Sequence, residues 1–184
     1  MATPIVHAGL AMIAVSTPFY WQRQFSLSKY GASLAAAALL ACLPDFDLLV
    51  SLLCTGDIRT WHFGISHSYL FALVTALVCR SWLPYDKCWW VFGLVASHVL
   101  IDSLTGAELG WHSAVEIHPW WPLPVGALQA PVTLFYGVYH GNWLAPYNMQ
   151  VVSGDLLAFA LPAASVVAVV LVEKLSARVY RQGG

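Results

Sequence analysis

Hydrophobic positions in this chain gather into long unbroken runs, not into the alternation of a strand or the narrow stripe of a surface helix. Pro4–Tyr20, Tyr30–Leu53, Ser66–Leu83, Trp89–Leu104 and Leu156–Val172 are each almost continuously apolar. A helix needs about 20 such residues to cross a bilayer, so the pattern predicts five spans. A sixth apolar stretch, Trp121–Tyr139, is interrupted by Pro122, Pro124, Gly126 and Pro131. Proline removes a backbone donor and breaks the helical ladder, so this stretch is expected to be re-entrant or to lie at the interface. The expected fold is all-α: a polytopic membrane helical bundle of about five transmembrane helices with one Pro-rich interfacial segment. The run Ala35–Ala38 supplies small residues that let helix backbones approach closely. No repeat or long linker divides the chain, so 1–184 is read as a single integral-membrane domain.

Composition narrows the class further. Of 184 residues 59% are hydrophobic and only 9% charged, against about 25% charged in soluble domains. Disorder, a nucleic-acid-binding arm and an ordinary water-soluble enzyme are thereby excluded, and no nucleic-acid partner is expected. A net charge of −1 identifies no electrostatic partner. Cys42, Cys54, Cys79 and Cys88 lack C-x-x-C spacing and read as small apolar residues. The first residues lack the basic region with which a signal peptide opens.

Individual cations orient the bundle. Arg23 and Lys29, Arg80 and Lys87, and Lys174, Arg178 and Arg181 fall on one side of a five-span arrangement; Arg59 alone falls on the other. Positive charge favours the cytoplasmic side. The expectation is a protein of the cell membrane (a bacterial or archaeal inner membrane) with its N-terminus outside and its C-terminus cytoplasmic. Trp21, Trp82, Trp89 and Trp90 then flank inner ends, and Trp61, Trp111, Trp120, Trp121 and Trp143 lie in outer segments, where indole rings favour the headgroup zone. All seven histidines fall on the outer side.

The candidate chemistry lies in polar residues that an apolar span should not contain. His7, Asp45, Asp47, His98 and Asp102 interrupt three spans, and His62 and His67 sit in the outer loop leading into a fourth. Each such group costs roughly 2.5–3.5 kcal/mol on insertion scales. At ~1.5 Å per residue, His7, Asp45, His98 and Asp102 lie about 16–24 Å from the inner-side cations, hence in the outer half of a core about 30 Å thick. His98 and Asp102 are i, i+4 and share a helix face. Asp45 and Asp47 would diverge on a regular helix, but a kink at Pro44 could bring both round. Gly64 permits a tight loop between His62 and His67, and Ser66 is a candidate cap for the next helix.

Singly, each residue has a plain reading as an interhelical hydrogen-bonding group or a proton relay. Together they fit metal ligation, which neutralises carboxylates and uses neutral imidazoles. Seven ligands exceed one tetrahedral site, so two or three divalent ions are expected, Zn2+ first, with Mn2+ or Fe2+ compatible. His112, Glu116, His118 and His140 lie in an outer segment and read as solvated.

In order, His7-Ala8-Gly9-Leu10, Pro44-Asp45-Phe46-Asp47, His62-Phe63-Gly64-Ile65-Ser66-His67-Ser68 and His98-Val99-Leu100-Ile101-Asp102-Ser103-Leu104-Thr105-Gly106, followed by Trp121-Pro122-Leu123, resemble the YdjM-like family of membrane-bound, metal-dependent hydrolases. The family's pattern is an early His, an Asp-x-Asp, a His-Arg-Gly-x-Thr-His-Ser and a His-x-x-x-Asp before a Pro-rich stretch. The match covers residues 1–125 and leaves 126–184 as generic spans. Phe63 stands where the family usually has Arg, and Ser66 where it has Thr. The family is distantly similar to zinc-dependent phospholipases C and related single-strand nucleases, so the resemblance implies hydrolysis of a phosphate ester.

Position adds the substrate class, because ligands just beneath the outer interface lie where lipid phosphates reside. The expected function is a membrane-embedded hydrolase cleaving a phosphoester of a membrane lipid through a metal-bridged hydroxide. His7, Asp45, Asp47, His62, His67, His98 and Asp102 are the expected ligands, with Asp45 or Asp102 as a catalytic base. Ser68 and Thr105 are candidate supporting donors, and Arg59 is the one outer-side cation for phosphate. Hydrolysis of a lipid amide or carboxylic ester uses the same chemistry. A transporter or a catalytically silent metal-binding protein are the non-enzymatic alternatives. Transit is disfavoured because Ala35–Leu40 and Trp89–Ala96 carry no ionisable group.

Overall fold

The computed structural model describes residues 1–21, 27–58, 60–111, 114–139, 142 and 144–159, with side chains at 18–21 and 27–30 left aside. Arg23, Arg59, His112, His140, Trp143 and most of the expected last span, with Lys174, Arg178 and Arg181, lie outside the described residues.

Helix α1 (Pro4–Trp21) starts on a proline, whose missing N–H is one that no helix start can satisfy. The Thr3 hydroxyl accepts from Val6 N–H at 3.4 Å and donates to Asp155 at 2.6 Å, tying the start of α1 to helical residues 146–159. Helix α2 (Leu27–Ala41) is followed by a 3-10 turn, Leu43–Asp45, and by α3 (Phe46–Thr55). The expected single span over Tyr30–Leu53 is therefore two helices bent by 52°, because Pro44 cannot continue the ladder. Gly56 closes α3 at φ 76°, a left-handed position that glycine adopts without cost. A loop and a second 3-10 turn, Ile65–His67, lead into α4 (Tyr69–Cys79). Helix α5 (Tyr85–Ser103) follows.

Helix α5 is the axis of the assembly and packs against α1, α2 and α4. Its buried residues Val91, Leu94, Val95, His98, Val99 and Asp102 recur every three to four positions, the spacing of one helix face. One core cluster joins Ala11, Ala37, Ala41 and Leu94 where α1, α2 and α5 cross. Of the Ala35–Ala38 run only Ala37 is buried, while Ala35 and Ala36 face outward. A second cluster joins Ala2, Val6 and Ile101, with Phe135 and Phe159 packed on it.

The Pro-rich stretch is not helical. The described residues between 105 and 139 fold back on themselves: β1 (Thr105–Gly106) pairs in parallel with β2 (Phe135–Tyr136), and Gly110 and Ile117 bridge Thr133 and Leu128. The described fold is thus mostly helical with a two-stranded cap, not purely α. Among the described residues no single helix is long and apolar enough to cross a membrane; the bent pair α2–α3 meets the length and composition required.

Candidate metal centre

Five segments converge at the C-terminal end of α5. Helix α1 brings His7, the 3-10 turn after α2 brings Asp45, the first turn of α3 brings Asp47, the following loop and turn bring His62 and His67, and α5 brings His98 and Asp102. His7, His67, His98 and Asp102 are completely buried. The proline break is what aims the aspartates: Asp45 N–H bonds Cys42 C=O at 3.1 Å, so the chain tightens before α3 restarts.

The contacts have the spacing that ligands around a shared cation would have. His98 Nε2 lies 3.2 Å from His67 Nε2, 3.3 Å from Asp45 Oδ1 and 3.4 Å from Asp102 Oδ2. His67 Nε2 lies 3.5 Å from Asp102 Oδ2 and 3.6 Å from Asp45 Oδ1. His7 Nε2 lies 3.4 Å from Asp102 Oδ1, with its ring stacked on His98 at 3.7 Å. Two atoms bound to one tetrahedral ion at 2.0–2.1 Å are about 3.4 Å apart, whereas a charge-assisted hydrogen bond is about 2.7–2.9 Å. Both Asp45 oxygens, Asp102 Oδ2 and both His7 nitrogens are buried without a hydrogen-bond partner. Buried polar atoms are almost always satisfied, so their concentration here fits a cation. His7–Asp45–His98, Asp45–His62–His67 and His67–His98–Asp102 each present ligand atoms within 4.8 Å of one another and could hold a metal ion. Three carboxylates meet here with no Lys or Arg beside them among the described residues, so a divalent ion also suits the charge.

The surroundings fix which nitrogens face inward. The turn at Pro44 leaves Ala41 C=O outside the helical ladder, and it lies 2.7 Å from His98 Nδ1. Nδ1 therefore donates, which in the neutral ring leaves the lone pair on Nε2. Asp47 does the same for two rings: Oδ1 is 3.0 Å from His62 Nδ1, and Oδ2 is 3.2 Å from His67 Nδ1 while accepting from the Ser66 hydroxyl at 2.5 Å. Asp47, expected from sequence as a ligand, thus contacts the Nδ1 side of two imidazoles of the cluster. The Ala2 N–H donates to Asp102 Oδ1 at 2.9 Å and holds that carboxylate.

Three sequence expectations change. Ser68, not Ser66, caps α4, accepting from Phe71 N–H at 3.1 Å and donating to Ile65 C=O at 2.6 Å; its hydroxyl is engaged there and does not support a ligand. The Thr105 hydroxyl donates to Ile101 C=O at 2.8 Å and likewise does not face the cluster. In the loop the left-handed residue is Phe63, at φ 64°, not Gly64. A bulky residue there is strained, and its ring packs 4.0 Å from His62 and 5.2 Å from His67. Gly64 is needed for a different reason: a Cβ there would stand 3.0 Å from Trp61 C=O. Gly64→Ala is expected to displace the His62–His67 loop, costing about 1–3 kcal/mol. Thermal melting and a metal titration of the purified variant would show both lowered stability and weakened binding.

Glu116 and His118, read from sequence as solvated, are exposed but line a cavity of about 600 Å³ that His62 also borders. Their only sequence signal is alternation with the buried Ile117 and Pro119.

A sequence model of the YdjM inner membrane protein family matches residues 1–179. Inner membrane protein YbcI of Escherichia coli (strain K12) is 31% identical over 144 residues, covering 70% of this chain and 77% of YbcI. No solved structure matches.

Proposed function

Because the chain belongs to the YdjM family of inner membrane proteins, we propose that it is a polytopic membrane hydrolase that uses divalent metal to cleave a phosphoester of a membrane lipid. The observation that carries this reading is the buried set of imidazole nitrogens and carboxylate oxygens at ligand-to-ligand spacing, those of His7 and Asp45 among them without hydrogen-bond partners. Asp45, His67, His98 and Asp102 would hold one ion; His7 and His62, at opposite ends, extend the set towards a second. Bound there, divalent ions would lower the pKa of water and neutralise charge on a phosphoryl oxygen, and Zn2+ suits the donor set best.

The chain's own residues do the rest. Asp102 is fixed by Ala2 N–H, so its charge is pre-aimed. The cluster is graded in access: His7, His67, His98 and Asp102 are closed off, while Asp45 and Asp47 keep 9% and 10% of their side-chain surface. Substrate would enter from that shallower side, and Asp45 would accept the proton of the attacking water. Large apolar side chains point outward from the bundle, among them Leu39, Leu53, Leu77 and Trp82, as lipid-facing residues do. The Lys and Arg bias supports an external N-terminus and site, with a cytoplasmic C-terminus.

The test is product analysis with the purified chain in lipid vesicles. A phosphorylated headgroup should be released, and release should stop on chelation and return with Zn2+. Free fatty acid instead would replace the phosphoester reading with acyl hydrolysis. Tightly bound metal with no turnover of either bond would make the protein a non-enzymatic metal binder.

A further inference from the structure

We infer that the cavity beside His62 is a headgroup site selecting phospholipids that end in an ammonium group; this rests on the lipid-hydrolase reading above. Two walls form the cavity. Trp61, His62 and Phe63 come from the loop after α3, and Glu116, His118 and Trp121 come from the strand-like run before the prolines. The second wall is built into the fold. Ile117 exchanges backbone hydrogen bonds with Leu128 at 3.1 and 2.8 Å, Pro119 C=O accepts from Tyr69 N–H at 2.9 Å, and His118 C=O accepts from Trp121 N–H at 3.1 Å. Glu116 and His118 alternate with the buried Ile117 and Pro119 and so face outward.

The chemistry of the lining is specific. Among the described residues that line it, Glu116 is the one carboxylate, two indoles stand with it, and there is no Lys or Arg. Aromatic faces and a carboxylate attract an ammonium group and repel an anionic headgroup. A zwitterionic headgroup fits end to end. Its phosphate would lie on the His62 side, towards the candidate metal centre, and its ammonium would lie at Glu116. Trp61 and Trp121 are half-exposed, as interfacial indoles are, which puts the opening at headgroup depth.

The purified full chain would be titrated with phosphatidylethanolamine and with phosphatidylglycerol, bound lipid being read by native mass spectrometry and turnover measured separately. The expected result is about tenfold tighter binding of the ethanolamine lipid. Glu116→Gln should abolish that preference and Trp61→Leu should reduce it, with metal content unchanged in both. No preference in the wild type, or full preference in Glu116→Gln, would overturn the inference. Equal affinity for soluble glycerophosphoethanolamine would overturn the assignment to lipid. Preference without cleavage of either lipid would uphold the headgroup site and end the hydrolase reading; cleavage without preference would do the reverse.

Discussion

Asp102→Ala is expected to strip the centre of metal and abolish headgroup release while the helices stay folded. Asp102 bridges three imidazoles: Oδ2 lies 3.4 and 3.5 Å from His98 and His67, and Oδ1 lies 3.4 Å from His7. Truncation removes one negative charge from a completely buried group of imidazoles and orphans Ala2 N–H. Loss of a supporting residue alone typically weakens metal binding 10–100-fold, so loss of a ligand should exceed about 100-fold. Breaking a buried charge cluster adds about 3–5 kcal/mol of destabilisation. Asp102→Asn keeps the volume and should fail in the same way, which separates lost charge from lost packing. Elemental analysis of the detergent-purified variants, beside their circular dichroism, is the check. Full metal stoichiometry in both would remove Asp102 from the ligand set.

Much of this centre is legible before any coordinates. His98 and Asp102 lie one helical turn apart, and four residues of α-helix admit only one relative placement. Pro44 between α2 and the aspartates signals the break that aims them, and the shared depth of His7, Asp45, His98 and Asp102 follows from counting residues along spans. Illegible parts depend on where helices restart. Asp47 points at two imidazoles instead of the cluster because α3 begins at Phe46 after a 3-10 turn, and a shift of one residue would rotate it by about 100°. Ser66 could not be told from Ser68 as the cap of α4, since either would do by type. A Phe at positive φ carries no sequence signal, because the position costs energy and only the surrounding fold enforces it. The wall holding Glu116 and His118 depends on pairing between Ile117 and Leu128, a non-local contact that proline-rich sequence conceals.

Asp47→Asn is expected to keep the metal number at saturation and lower affinity by roughly 10–100-fold. The asymmetry between this outcome and that of Asp102→Ala separates a ligand from a group that orients ligands. As a carboxylate Asp47 accepts at both oxygens: His62 at one, His67 and Ser66 at the other. An amide accepts at only one, so one imidazole must face an NH2 group. That ring loses its acceptor at Nδ1, and its tautomer turns over to put a proton on Nε2. For His67 this would aim an N–H, not a lone pair, at the atoms of Asp45, His98 and Asp102. Ions can still bind by displacing that proton, so affinity should fall more steeply at lower pH than in the wild type. A competition titration against a chelator at two pH values measures both effects. A loss of stoichiometry equal to that of Asp102→Ala would instead make Asp47 a ligand in its own right, with the contacts to His62 and His67 given up when metal binds.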